Sequence, residues 1–256
     1  MRFRRVSSHW SKLLATSQDI LQTLNLSTYS HKVNDALLIS RICPFVGQRP
    51  RTIIINDCHH VGDEGFLALI TQCGANVERL LLRSAWDISP QILLELTEKT
   101  RQLAEVDFSN VRKVSDNLLG LMFGLEAKRT TYLDVPANAP IRGCFNLKRV
   151  RLSYCKSITD RLMHMIAACA ASRLESLDLT RCTAISDAGF RYWASTSFPR
   201  LKKLVLADCT YLSDAAIYSL AQAAKQLQEL DIVSHEPARV FTELTLYATE
   251  LLLRSE

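Results

Sequence analysis

The sequence predicts a curved, right-handed α/β solenoid, with parallel strands on its concave face and helices on its convex face. Three observations predict it. The stretch Leu147-Lys-Arg-Val150-Arg-Leu152-Ser-Tyr-Cys155-Lys-Ser-Ile158-Thr-Asp160 recurs with the same spacing from Leu174 to Asp187 and from Leu201 to Asp214. Its leucine-like positions alternate over one short run, as they do in a strand with one buried face. Each copy then leads into apolar residues at helical spacing, such as Ile217, Leu220 and Ala224. A period of about 27 residues is one supersecondary unit that cannot bury its own apolar face, so neighbouring units are obligatory.

The first position of each unit falls at Leu21, Pro50, Val77, Leu103, Thr130, Leu147, Leu174, Leu201 and Leu227, which gives about nine units over residues 20–256. Every step is close to the period except the one of 17 residues from Thr130 to Leu147. Within a unit the alternating leucines form a strand and point inward, each worth roughly 1.5–3 kcal/mol when buried. The cysteine position turns the chain out of the strand. A Ser/Thr-Asp pair then opens the helix, at Ser115-Asp116, Thr159-Asp160, Ser186-Asp187 and Ser213-Asp214. The hydroxyl caps open N–H groups and the carboxylate complements the positive helix end. Helix ends are expected near Cys43-Pro44, Cys73-Gly74 and Phe198-Pro199. In the third unit Ser89-Pro90 replaces the pair, and Pro suits the first helical position. The fifth unit is the exception. Leu133, Val135, Asn138 and Ile141 keep its strand and turn, whereas Pro136, Pro140 and Gly143 predict that its helix is missing. The segment from Thr242 to Arg254 is expected to cap or continue the ninth unit.

At 256 residues and 48% apolar composition the chain can bury a large core, and the continuous period argues for one repeat domain. A net charge of +5 without a block of Lys or Arg gives no expectation of nucleic-acid binding. The apolar run from Leu162 to Ala171 is too short for a membrane span. No continuous apolar segment follows Met1-Arg-Phe-Arg-Arg, so no secretory leader is expected and the cytoplasm or nucleus is the expected location. A mitochondrial presequence is the alternative for this Arg-rich start. Cys58, Cys155, Cys182 and Cys209 share one repeat position, and Cys43, Cys73 and Cys169 lie near helix ends, so they are read as buried thiols rather than disulfides. Cys58-His59-His60 has no matching second pair at ligand spacing, and no metal is expected. His164 and His235 have no identifiable nucleophile, and no G-x-S-x-G, P-loop or G-x-G-x-x-G occurs. Neither an enzyme nor a cofactor is expected.

The shared pattern L-x-x-L-x-L-x-x-C-x-x-I-[ST]-D resembles the cysteine-containing leucine-rich repeat. Upstream of it, residues 1–19 read as an amphipathic capping helix with Val6, Trp10, Leu13 and Leu14 on one face. Val6, Ser7, Trp10 and Leu13 match V-[SC]-x-x-W-x-x-L, and Leu24, Leu26 and Ser27 match the phrase that follows it, in the F-box/leucine-rich-repeat family. The antagonist-of-mitotic-exit type shares these repeats. The resemblance implies recruitment of a protein substrate to an SCF-type ubiquitin ligase, with Val6, Trp10 and Leu13 as the remnant of a contact to a Skp-type adaptor. Only the tail of the F-box is matched, and the half that grips the adaptor is not among these residues. The alternative is a repeat scaffold or regulator with no ligase link.

On the concave face the register singles out two patches. Ile54 and Leu81 form an exposed apolar pair flanked by Arg79, Arg83 and Trp86, the composition of a contact centre. Arg149, Arg151, Tyr154 and Arg181 form a second cluster beside Asp107, Tyr132, Asp134 and Asp178, with the arginines expected to pair with Asp134 and Asp178 or to take an acidic or phosphorylated peptide. A protein substrate or regulatory protein is the expected partner.

Overall fold

The computed structural model describes residues 17, 20–125 and 143–233. Among the described residues eight three-residue strands form one sheet in sequence order, each parallel to the next. They are β1 (Thr23–Asn25), β2 (Thr52–Ile54), β3 (Arg79–Leu81), β4 (Glu105–Asp107), β5 (Arg149–Arg151), β6 (Ser176–Asp178), β7 (Lys203–Val205) and β8 (Glu229–Asp231). Their central residues, from Leu24 through Ile53, Leu80, Val106, Val150 and Leu177 to Leu204, are buried in one continuous core. The flanking residues of each strand face the opposite way, as the pleat requires. The helices return the chain along the other side: α1 (Asp35–Leu37), a π-helical turn (Leu38–Ile42), α2 (Cys43–Val46), α3 (Asp63–Cys73), α4 (Pro90–Lys99), α5 (Asp116–Met122), α6 (Asp160–Cys169), α7 (Asp187–Arg191) and α8 (Asp214–Ala223). This is the leucine-rich-repeat solenoid that the period predicts.

The helix starts do more than cap. The hydroxyls of Ser89, Ser115, Thr159, Ser186 and Ser213 each accept a backbone N–H of their own helix. The aspartate that follows the cap binds the next repeat. Asp160 Oδ1 accepts Ser186 N at 2.7 Å and its Oδ2 accepts Ser186 Oγ at 2.7 Å, and Asp187 does the same for Ser213 at 2.8 and 2.6 Å. Asp35 accepts Gly62 N, Asp63 accepts Ser89 N and Asp116 accepts Thr159 N. The repeating aspartate is thus a ladder between units, a role that the helix-dipole reading missed. Gly189 leaves room for it: a Cβ there would lie 2.6 Å from Asp160 Oδ1 and 2.9 Å from Met163 Cγ.

The repeating cysteines form a second ladder. The thiols of Cys155, Cys182 and Cys209 donate to the carbonyls of Phe108, Leu152 and Leu179 in the preceding unit at 3.1–3.2 Å. None of the eight cysteines is bridged. Burial pushes the Cys155 thiol up to about 11, against the lowering effect of its backbone hydrogen bonds, and the Cys182 thiol higher still. The residue before each turn position is left-handed, at Asp57, Ser84, Asn110, Tyr154, Arg181 and Asp208. The recurrence makes this conformation a property of the turn, since each N–H there reaches a carbonyl of the next unit.

Two expectations are corrected. The first helix runs past Cys43-Pro44 to Val46. The π-helical turn lengthens the hydrogen-bond step just before Pro44, which has no N–H to offer, and Gly47 at φ 57° ends the helix. The second correction concerns the fifth unit. β4 pairs directly with β5, Glu105 opposite Arg149 and Asp107 opposite Arg151, so no strand from the Thr130 unit stands between them. Leu103 and Leu147 therefore open consecutive strands of the sheet. The described residues on either side of 126–142 meet: Gly143 N donates to Thr97 O at 3.1 Å, Cys144 N donates to Met122 O at 2.8 Å, and a Cβ on Gly143 would lie 3.2 Å from Gly124 Cα. Residues 126–142, and with them Leu133, Val135, Asn138, Tyr132 and Asp134, lie outside the described residues, as do the N-terminal capping helix and the segment from Thr242.

Candidate partner-binding face

The direct β4–β5 contact rebuilds the concave face. In register, Glu105 stands between Arg79 and Arg149, and Asp107 between Leu81 and Arg151. Glu105 is the centre of an ion-pair network. Its Oε2 lies 3.0 Å from Arg79 Nε and 3.1 Å from Arg149 Nε, and its Oε1 lies 3.3 Å from Arg151 Nη1. Arg149 Nη1 also reaches Glu175 Oε2 at 3.0 Å. The Glu105 side chain is only 4% exposed. Burial alone would raise its pKa, but the hydrogen bonds and charges of Arg79, Arg149 and Arg151 together bring it below the ordinary carboxylate value.

Of the first patch, Ile54 and Leu81 are adjacent in register, as expected, but they are half-buried and not fully exposed. Arg79 is turned onto Glu105. Trp86 departs from the expected patch. It sits in the turn after β3, its ring stacked on His59 at 4.8 Å, with the Arg112 guanidinium 4.8 Å from its centroid. Its Nε1 donates to Asn110 O at 3.0 Å. Trp86 therefore ties three successive units along the strand-to-helix edge. Cys58-His59-His60 is accounted for in the same place: the cysteine faces the core and His59 packs on Trp86.

Of the second cluster, Arg149 and Arg151 pair with Glu105, and Arg151 also lies 3.9 Å from Asp107 Oδ2. Asp178 was the expected partner of these arginines, but it instead accepts Thr180 N at 2.9 Å and Thr180 Oγ1 at 2.7 Å. Arg181 packs over the Tyr154 ring at 5.4 Å and pairs with Asp208 at 2.9 Å. With no strand between β4 and β5, Arg83 of the first patch and Arg151, Tyr154 and Asp178 of the second line one open cleft of about 410 Å³. Ser84, Ser109, Asn110 and Ser153 complete its floor, and Asn110 Nδ2 donates to Ser84 Oγ at 3.0 Å. Sequence reasoning did not single out Glu105 or these small polar residues. The signal that exposes them is the one irregular step, from Thr130 to Leu147, which joins the step before it to make one long repeat from Leu103.

Comparison with solved structures bears on the fold. The chain is similar to a chain in the crystal structure of the Rad7 and Elc1 complex in yeast. The TM-score is 0.55 at 16% sequence identity, and the match covers 83% of this chain and 58% of that one. No protein-family model and no curated protein sequence matches. Among the described residues no group of His, Cys, Asp and Glu is arranged to hold a metal ion, and no helix is long and apolar enough to cross a membrane.

Proposed function

We propose that this chain is a protein-binding repeat module that acts by positioning a partner on its concave face, with no bond-making of its own. The observation that carries this reading is the open cleft beside the Ile54–Leu81 pair, where charged and hydroxyl groups from β3 to β6 and the turns after them meet on one sheet. The experiment is proximity labelling in cells with the wild type, Leu81→Asp, and Tyr218→Asp as a control on the exposed side of α8. Leu81→Asp should lose partners that the wild type and Tyr218→Asp retain. The same partner set from all three would sink the assignment to the concave face.

The finer reading is a substrate-recruiting subunit of an SCF-type ubiquitin ligase. Its support is the F-box-like phrase at Val6, Ser7, Trp10 and Leu13, together with the likeness to a chain solved in the Rad7 and Elc1 complex. In this reading the repeats hold a substrate and the N-terminal phrase meets a Skp-type adaptor, in the cytoplasm or nucleus. Co-precipitation with the adaptor tests it. Capture that Trp10→Ala abolishes supports the ligase link, whereas no capture leaves a scaffold without one.

A further inference from the structure

The cleft carries more information than its position, because two of the four charged side chains that line it, Asp107 and Arg151, are already paired within the protein. Arg79, Arg149 and Arg151 are engaged by Glu105, Asp107 and Glu175. Asp107 Oδ1 also accepts Ser109 N at 2.9 Å. Two lining groups remain without an ion pair among the described residues: the exposed guanidinium of Arg83 at the β3 end, and the carboxylate of Asp178 at the β6 end. Between them Ser84, Ser109, Asn110 and Ser153 are small side chains over which an extended backbone can pass, with Asp107, Arg151 and Tyr154 beside them. The apolar shelf of Ile54 and Leu81 adjoins the Arg83 end.

Geometry fixes the ligand's spacing. From β3 to β6 is three strand spacings, roughly 14 Å. An extended chain covers about 3.3 Å per residue, so about four residues separate the two charges. A dianion such as a phosphoryl group fits poorly, because Asp107 and Asp178 both line the cleft.

We propose that the cleft binds an extended protein segment running across the strands, with an apolar residue on Ile54 and Leu81, an acidic residue at Arg83 and a basic residue about four positions away at Asp178. The proposal rests on the reading of the chain as a protein-binding module and adds the order of apolar, acidic and basic residues along the bound segment. Opposite charges without an ion pair at the two ends, with the apolar shelf beside one of them, set that order.

The probe is a pair of labelled synthetic octapeptides, N-acetyl-Leu-Ala-Glu-Ala-Ser-Ala-Lys-Ala-amide and the same peptide with Glu and Lys exchanged, titrated by fluorescence polarisation. The wild type should prefer the acid-first peptide by about tenfold, the size expected when two exposed pairs change from attraction to repulsion. The double variant Arg83→Glu, Asp178→Lys should reverse the preference, and Arg83→Gln, Asp178→Asn should erase it, with unchanged circular dichroism. Equal binding of the two peptides, binding of neither, or a preference that survives the double reversal overturns the proposal. The failure of the module reading looks different. If Leu81→Asp removes cellular partners and the double reversal keeps them all, the cleft proposal falls and the module stands. If Leu81→Asp removes none, the module reading falls as well.

Discussion

Glu105 shows how one buried carboxylate organises an exposed face. It sits on the outward side of β4, yet the three arginines that cover it leave its side chain almost fully enclosed. An enclosed carboxylate is tolerable only when paired, and removing one member leaves the others with an incomplete network. Glu105→Gln keeps the shape and removes the charge, and should lower stability by about 1.5–3 kcal/mol at neutral pH, read from urea midpoints. The pH dependence has a definite sign. The folded-state pKa of Glu105 is depressed, so its contribution is present above the unfolded value of about 4.3 and is lost as pH falls through the folded value. Wild type and Glu105→Gln should therefore converge in stability as the solution is acidified below about pH 4. A difference that stays constant through that window would show that Glu105 is not held by its charge. The thiols give a second residue-scale outcome. Burial raises Cys73 to about 12 and Cys144 to about 11, so both should react with a thiol reagent at pH 8 only on unfolding.

Among the elements, the helix start is where sequence and structure agree on identity and differ on role. The Ser/Thr-Asp pair was legible because a hydroxyl before an apolar helix is a local signal. The bond from Asp160 to Ser186 was not, because it joins residues 26 positions apart and becomes visible only when consecutive units are stacked. Asp160→Ala should cost about 1–3 kcal/mol, and its effect should not add fully to that of Ser186→Ala, since both changes break the Ser186 Oγ–Asp160 Oδ2 hydrogen bond, while Ser186→Ala keeps the backbone N–H bond to Asp160 Oδ1. Full additivity in a double-mutant cycle would remove the ladder as a source of stability. The fifth unit was misread for a related reason. Leu133 and Val135 have strand-like alternation, but membership of the sheet is a non-local property, and β5 already occupies the edge of β4. With Gly124 and Gly143 in contact, deleting residues 126–142 should leave the far-ultraviolet circular dichroism and a cooperative melt intact. Loss of the folded state would show that this segment is part of the core. The same misreading divided the cleft into two patches, since Arg83 and Arg151 line one space only when β4 and β5 are neighbours.

Across the whole molecule, a solenoid is as cooperative as its weakest junction, because each unit touches only its neighbours. The aspartate ladder links the units at five junctions, but the third unit opens its helix with Pro90, which has no carboxylate to reach Ser115. The junction of the third and fourth units depends on other bonds instead: Trp86 Nε1 to Asn110 O, Asn110 Nδ2 to Ser84 Oγ, Arg112 over the Trp86 ring, and Arg79 to Glu105. Trp86 and Glu105 thus hold together the β3–β4 boundary on which the cleft is built. The double variant Trp86→Ala, Glu105→Gln should weaken that boundary more than either half, and so convert one thermal unfolding transition into two. Hydrogen exchange should then separate the amides before β4 from those after it, the side with the continuous ladder from Asp116 to Ser213 exchanging more slowly. A matched pair of losses at another junction, Asp160→Ala with Cys182→Ala, leaves the β3–β4 boundary intact and should lower the melting temperature without splitting it there. If both double variants melt in a single transition with the same exchange pattern, the proline-interrupted junction is no weaker than the rest.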